Sequence, residues 1–160
     1  MDKLVVPFFF YCILLSINNA NGQAKNALGF GPAINFSKTG SYDPEDGLGA
    51  RLQGEIKLGN RVSLVPSIGG ETPYNAYFGV SGKYYPVDRF HMMLGGIAYI
   101  GGDVSAGVGP SIALGYQLLS SQRHFIDVDF HGEIIKVEPY ENTTVLGLRL
   151  TYNFSFSRPK

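Results

Sequence analysis

The chain has 160 residues with 13 basic and 13 acidic side chains, and so no net charge with which to attract nucleic acid. Charged residues make up 16% of it where ~25% is ordinary, and glycine contributes 21 residues where ~7% is usual. The single cysteine, Cys12, excludes a disulfide framework, and the scarcity of charge beside plentiful Gly, Tyr and Phe argues against an ordinary water-soluble domain.

The N-terminus comes first in chain order. Lys3 precedes an apolar run from Leu4 to Leu15, and small and polar residues follow, which is the layout of a secretory signal peptide. Ala20 and Gly22 occupy positions −3 and −1 of a cut before Gln23, giving residues 1–22 as signal peptide and 23–160 as one domain. A membrane anchor needs about 20 apolar residues, and this run is shorter and contains Pro7. Cys12 follows Phe10 and Tyr11, not the small residues that precede a lipidated cysteine. Asp2 and Lys3 leave with the leader, so the remainder stays balanced and has no cysteine.

Beyond the leader the hydrophobic period is two, the signature of half-buried strands. The first predicted strand is Leu28–Phe36, with Leu28, Phe30, Ile34 and Phe36 on one face. The second, Leu48–Leu58, is the clearest. Leu48, Ala50, Leu52, Gly54, Ile56 and Leu58 share one face, and Arg51, Gln53, Glu55 and Lys57 follow one another on the other. A helix would mix these two sets on every side. The third is Arg61–Gly69 (Val62, Leu64, Ile68) and the fourth Tyr74–Tyr85 (Ala76, Phe78, Val80, Tyr84). The fifth, Phe90–Ile100, is ambiguous because Met93, Ile97 and Tyr99 fall on its polar face. The sixth is Val104–Leu118, and the seventh, Phe125–Lys136, sets Ile126, Val128, Phe130 and Ile134 against Asp127, Asp129, His131 and Glu133. The eighth, Val145–Phe156, aligns Leu146, Leu148, Leu150, Tyr152, Phe154 and Phe156.

Gly59-Asn60, Pro86–Asp88 and Ser120–Gln122 read as tight turns. Ser37–Asp46, Gly70–Pro73 and Val137–Asn142 are longer, and Gly101–Asp103 is short. Tight turns on one rim and longer loops on the other is the habit of membrane barrels, with the tight rim periplasmic. Pro32, Pro66 and Pro110 conflict with this scheme, because proline cannot donate to a ladder and a closed barrel has no free edge.

The two faces differ in size as well as polarity. The polar face is rich in Gly29, Gly31, Ala33, Gly79, Gly95, Gly107, Gly109, Gly115 and Gly147, which suit the narrow interior of an eight-stranded barrel. Aromatics on the apolar face gather near strand ends, at Phe36, Tyr74, Tyr84, Phe90, Tyr116 and Phe154, as interfacial girdles do. The apolar face therefore points outward, to lipid.

The segment Gly107–Tyr116 and the ending Gly147–Phe156, a glycine followed by alternating hydrophobics and a closing aromatic, resemble strands of small outer-membrane barrels of the OmpA/OmpX-like kind. The resemblance implies an all-β, eight-stranded antiparallel up-and-down transmembrane barrel in the outer membrane of a Gram-negative-type bacterium. It also implies outer-membrane lipid and the barrel-assembly machinery, met through the C-terminal strand, as partners. The chain departs from the pattern by adding Ser157–Lys160 after the last aromatic. The family includes anchors, adhesins and a few enzymes, so it names no activity.

With the polar face as lumen, the interior receives Arg51, Glu55, Lys57, Lys83, Asp127, Asp129, His131, Glu133 and Arg149. Buried charges are costly unless paired, so these are expected to form an ion-pair plug, with Arg149 beside Asp127, Asp129 or Glu133 on the neighbouring strand. Three other readings are open: a small selective pore, a lipid-modifying enzyme built on His131, and a soluble exported barrel around an apolar ligand. The enzyme reading lacks a serine in register with His131. One strand alone cannot wrap a metal, and neither Gly29-x-Gly31 nor Gly107-x-Gly109 opens a helix as a nucleotide fingerprint would. The expectation is a passive structural or surface-interaction barrel with no catalytic, cofactor or metal site.

Overall fold

A computed structural model describes residues 24–36, 47–72, 74–101, 106–121, 123–136 and 142–156. It contains eight strands: β1 (Ala27–Asn35), β2 (Gly47–Lys57), β3 (Val62–Glu71), β4 (Tyr74–Val87), β5 (Phe90–Ile100), β6 (Gly107–Ser120), β7 (His124–Lys136) and β8 (Asn142–Ser155). Each pairs antiparallel with its sequence neighbours, and β1 pairs with β8, closing an up-and-down barrel. This is the architecture expected from the alternation. The predicted signal segment and the connection 37–46 lie outside the described residues.

Strand limits differ from the sequence reading by one to three residues at most ends; β8, for instance, begins at Asn142 where Val145 was expected. The sixth strand starts at Gly107, not Val104, which lies outside the described residues. The third continues through Gly69 and Gly70 to Glu71, which the sequence reading had left in a connection. The fourth passes Pro86 to reach Val87, with a register shift between Tyr84 and Val87 that accommodates the proline.

The alternation resolves into an apolar exterior and a mostly polar interior. Leu48, Leu94 and Val108 are exposed by 71–78%, whereas Lys83, His91, His131 and Glu133 are exposed by at most 1%. The apparent ambiguity of β5 has a simple cause. Met93, Ile97 and Tyr99 do face the lumen, where they pack in two apolar clusters: Met93 with Val65 and Ala113, and Ile97 and Tyr99 with Tyr77, Ile135 and Val145. The lumen thus contains ordinary hydrophobic contacts beside its charges.

The three prolines follow one rule. In an antiparallel strand the N–H and C=O of a residue point to the same neighbour. A proline therefore damages only one of its two ladders. Pro32 pairs with Ala50 of β2, while the β1–β8 ladder skips from Phe30↔Tyr152 to Ala33↔Arg149. Pro66 pairs with Val80 of β4, while the β2–β3 ladder skips from Gln53↔Ser67 to Ile56↔Leu64. Pro110 pairs with Gly96 of β5, and the β6–β7 ladder ends beside it at Ser111↔Glu133. The residue before two of these prolines is a glycine against which the next strand leans. A Cβ at Gly31 would overlap the Leu150 carbonyl oxygen, and one at Gly109 the Ile134 carbonyl oxygen.

Gly31→Val and Gly109→Val should each destabilise the barrel by ~1–3 kcal/mol or more, the usual scale of overpacking. Gly59→Ala, whose Cβ would meet nothing within 4 Å, should stay within ~0.5 kcal/mol of the parent. Urea unfolding of the barrel refolded in lipid vesicles measures both. Equal tolerance at Gly31 and Gly59 would contradict the close approach of β8 to β1.

Candidate functional site in the barrel lumen

The lumen holds two cations that cross-tie strands lying far apart in the sheet. Lys83 on β4 donates from Nζ to Glu55 Oε2 of β2 at 3.1 Å and to Asp127 Oδ2 of β7 at 2.8 Å. Arg149 on β8 donates from Nη2 to Glu133 of β7 at 2.9 Å and also to Glu71 of β3. Lys83 thus bonds only strands that are not its neighbours, and Arg149 ties the adjacent β7 to β3 across the lumen.

Neutral groups complete the first cluster. Tyr85 donates to Glu55 at 3.0 Å and Ser63 to the same carboxylate at 2.9 Å. Asn153 donates to Asp127 at 3.3 Å and accepts from Gln53 at 3.1 Å. At the mouth of this cluster Lys25 lies 4.8 Å over the Phe125 ring. Partial burial pulls the Lys25 pKa below its usual value, against the attraction of Glu55 and Asp127. In the second cluster His131 Nδ1 lies 2.9 Å from Glu133 Oε2, and Ser111 donates to Glu133 Oε1 at 3.3 Å.

Between the clusters, His91 Nε2 of β5 meets Asp129 Oδ1 of β7 at 2.6 Å. Strand β6 runs between them, and its residue at that level is Gly115, paired with His91 on one side and Asp129 on the other. A Cβ on Gly115 would overlap both side chains. The same arrangement recurs at Gly29, flanked in register by Gln53 and Asn153, which bond over it. It recurs again at Gly147, where Asn35 and His131 converge. Gly29, Gly115 and Gly147 are thus slots in which the polar side chains of the two flanking strands meet.

The sequence-nominated residues are placed as follows. Arg51, Glu55, Lys83, Asp127, Asp129, His131, Glu133 and Arg149 are buried inside the barrel. Lys57 is a correction. It shares their phase but sits on the last residue of β2, exposed at the rim. Arg149 stands opposite Asp129 in register yet pairs with Glu133 and Glu71, because His91 already engages Asp129 and the guanidinium is long enough to run along the lumen. Arg51 Nε and Nη1, and Arg149 Nε, find no hydrogen-bond partner among the described residues. Glu71, Tyr85 and His91 were missed as members of the network. Glu71 follows two glycines that read as a turn, and His91 lies on the strand whose inner face is apolar.

This geometry is poorly suited to hydrolysis. The serine near His131 is Ser111, but it bonds the Glu133 carboxylate, which Arg149 also engages, and the imidazole is not its partner. Glu71, His131 and Glu133 come close enough to share a cation, yet Arg149 already donates to both carboxylates and would have to be displaced. Nor does a lumen lined by these charges suit an apolar ligand.

Removing Arg149 or Glu133 alone leaves a buried charge and should cost ~3–5 kcal/mol. In a double-mutant cycle of Arg149→Met and Glu133→Leu, the double variant should recover ~1 kcal/mol or more relative to the sum of the singles. Arg149→Met with Asp127→Leu should be additive within ~0.5 kcal/mol, since Asp127 belongs to the Lys83 bridge. Urea unfolding in vesicles reads all three, and coupling to Asp127 in place of Glu133 would overturn the pairing.

No family model matches the chain, and no curated protein sequence matches it. Among solved structures, it is similar in fold to the Yersinia pestis outer membrane protein Ail in a phospholipid bilayer nanodisc, at 14% identity and a TM-score of 0.49 over 82% of this chain and 99% of that one. A crystal structure of Ail in complex with the heparin analogue sucrose octasulfate aligns at 14% identity and a TM-score of 0.46, over 81% of this chain and 98% of the other.

Proposed function

We propose that the chain is a passive barrel embedded in a bacterial outer membrane, with a structural or surface-interaction role and a lumen closed to bulk flow. The observation that carries this reading is the continuous apolar exterior wrapped around a charged core. Leu28, Phe30, Leu52, Leu94, Ile112 and Leu148 are exposed, and comparable residues surround them on all eight strands. Soluble monomers rarely expose apolar patches beyond a few hundred Å². In lipid the same surface is matched to its solvent, and a closed barrel leaves no backbone edge to satisfy. No described helix is long and apolar enough to cross a membrane, so crossing falls to the strands.

The two cross-lumen bridges support the passive reading, because Lys83 and Arg149 tie opposite walls where a channel would need an open path. Export by the segment 1–22 and recognition of β8 by the barrel-assembly machinery belong to the same proposal. Surface interactions fall to the longer connections, of which 37–46 is the longest.

Leu52→Arg, Ile112→Arg and Leu148→Arg should each cost ~2–4 kcal/mol of folding free energy in vesicles, the depth-dependent penalty for a cation on the lipid face. In cells the chain should fractionate with the outer membrane and migrate differently on gels before and after boiling. Recovery as a soluble periplasmic protein, with the arginine variants folding normally, would overturn the reading.

A further inference from the structure

One rim of the barrel is basic among its described residues. The rim that bears β1's start and the connections β2–β3, β4–β5 and β6–β7 presents Lys25, Lys57, Arg61, Arg89 and Arg123, with Asp88 the one acid among its described residues. The connections at the other rim are acidic by sequence, with Asp43, Glu45, Asp46, Asp103, Glu138 and Glu141 against Lys38. Lys57, Arg89 and Arg123 are exposed, and each belongs to a different hairpin, so the cations are distributed around the circumference. Just inside this rim the outer surface is aromatic. Tyr84, Tyr116, Tyr152 and Phe156 are exposed, and His124 Nδ1 lies 2.6 Å from the Tyr152 hydroxyl on the same belt.

We propose that this basic rim is a collar that docks the phosphate groups of anionic phospholipids in the leaflet it faces. The proposal rests on the membrane reading above. An aromatic belt marks the depth of the headgroups, and cations immediately beyond it stand at the height of the lipid phosphates. Their spacing, one exposed cation per hairpin, matches separate headgroups around a perimeter and not one compact anion. Cations beside an anionic lipid surface contribute on the order of a fivefold preference each, within a Debye length. A collar on this rim alone favours one orientation, with the tight turns toward the phospholipid leaflet.

The test uses the full chain refolded into phosphatidylcholine vesicles, with spin-labelled phosphatidylglycerol or phosphatidylcholine as probe. The fraction of motionally restricted label gives the relative association of each lipid with the barrel. The collar predicts a several-fold preference for phosphatidylglycerol that falls toward unity at high salt. It also predicts that Lys57→Gln, Arg89→Gln and Arg123→Gln combined remove most of the preference while the gel shift on boiling is retained. Equal association of the two lipids, or a preference that survives both salt and the triple substitution, would overturn the collar and leave the membrane barrel standing. Absence of any restricted lipid, with the folded chain free in solution, would overturn the membrane reading and the collar with it. The salt arm needs no variant, so a triple variant that fails to fold still leaves a decisive result.

Discussion

Charge neutralisation inside a narrow tube is the constraint on which the rest of this structure depends. An eight-stranded barrel has room for side chains and little else, and each charge placed there must find its counter-charge within the lumen. Lys83 and Arg149 meet that demand by reaching across to Asp127 and Glu71 on distant strands. Other polar pairs meet over strands that lie between them, and there glycine supplies the space. Gly115 lets His91 touch Asp129, and Gly29 lets Gln53 touch Asn153. At these positions glycine is a packing element of the polar network, since a side chain there would push two partners apart.

The exterior follows from the interior. With the polar residues consumed inside, the outward phase of every strand is left to Leu, Ile, Val and aromatics, and water is the wrong solvent for that surface. The backbone solves its own problem by closure, and the prolines show how much slack the closure has. Pro32, Pro66 and Pro110 each interrupt one ladder and leave the other intact, so three prolines are distributed over three different seams, β1–β8, β2–β3 and β6–β7. Clustering them on one seam would have opened the barrel.

The fold was legible because period two survives in nearly every strand, most plainly where Arg51, Gln53 and Glu55 alternate with Leu52, Gly54 and Ile56. Which face points inward could be read from the small residues on the polar face and the aromatics near strand ends of the other. Partners could not, because they are set by which strands lie opposite after closure. Arg149 was expected beside Asp127, Asp129 or Glu133; it pairs with Glu133 of that set, and also with Glu71, which the reading had not connected to it. Lys57 has the right phase but the wrong height, and alternation carries no information about height. Glu71 was hidden by the glycine pair before it, whose flexibility reads as a turn although here it continues a strand.

The central claim is that apolar residues face lipid while the charged phase is sealed inside. Residues 23–160 contain no cysteine, so single cysteines can be placed along β2 and spin-labelled one at a time. In vesicles, labels at Leu48, Leu52 and Ile56 should collide readily with oxygen, which concentrates in lipid, and little with a water-soluble nickel chelate. Labels at Arg51 and Gln53, inside the lumen, should be shielded from both, giving a two-residue oscillation along the strand. High nickel-chelate accessibility at Leu52, at the level of a freely hydrated label, would contradict the account and place the apolar face in water.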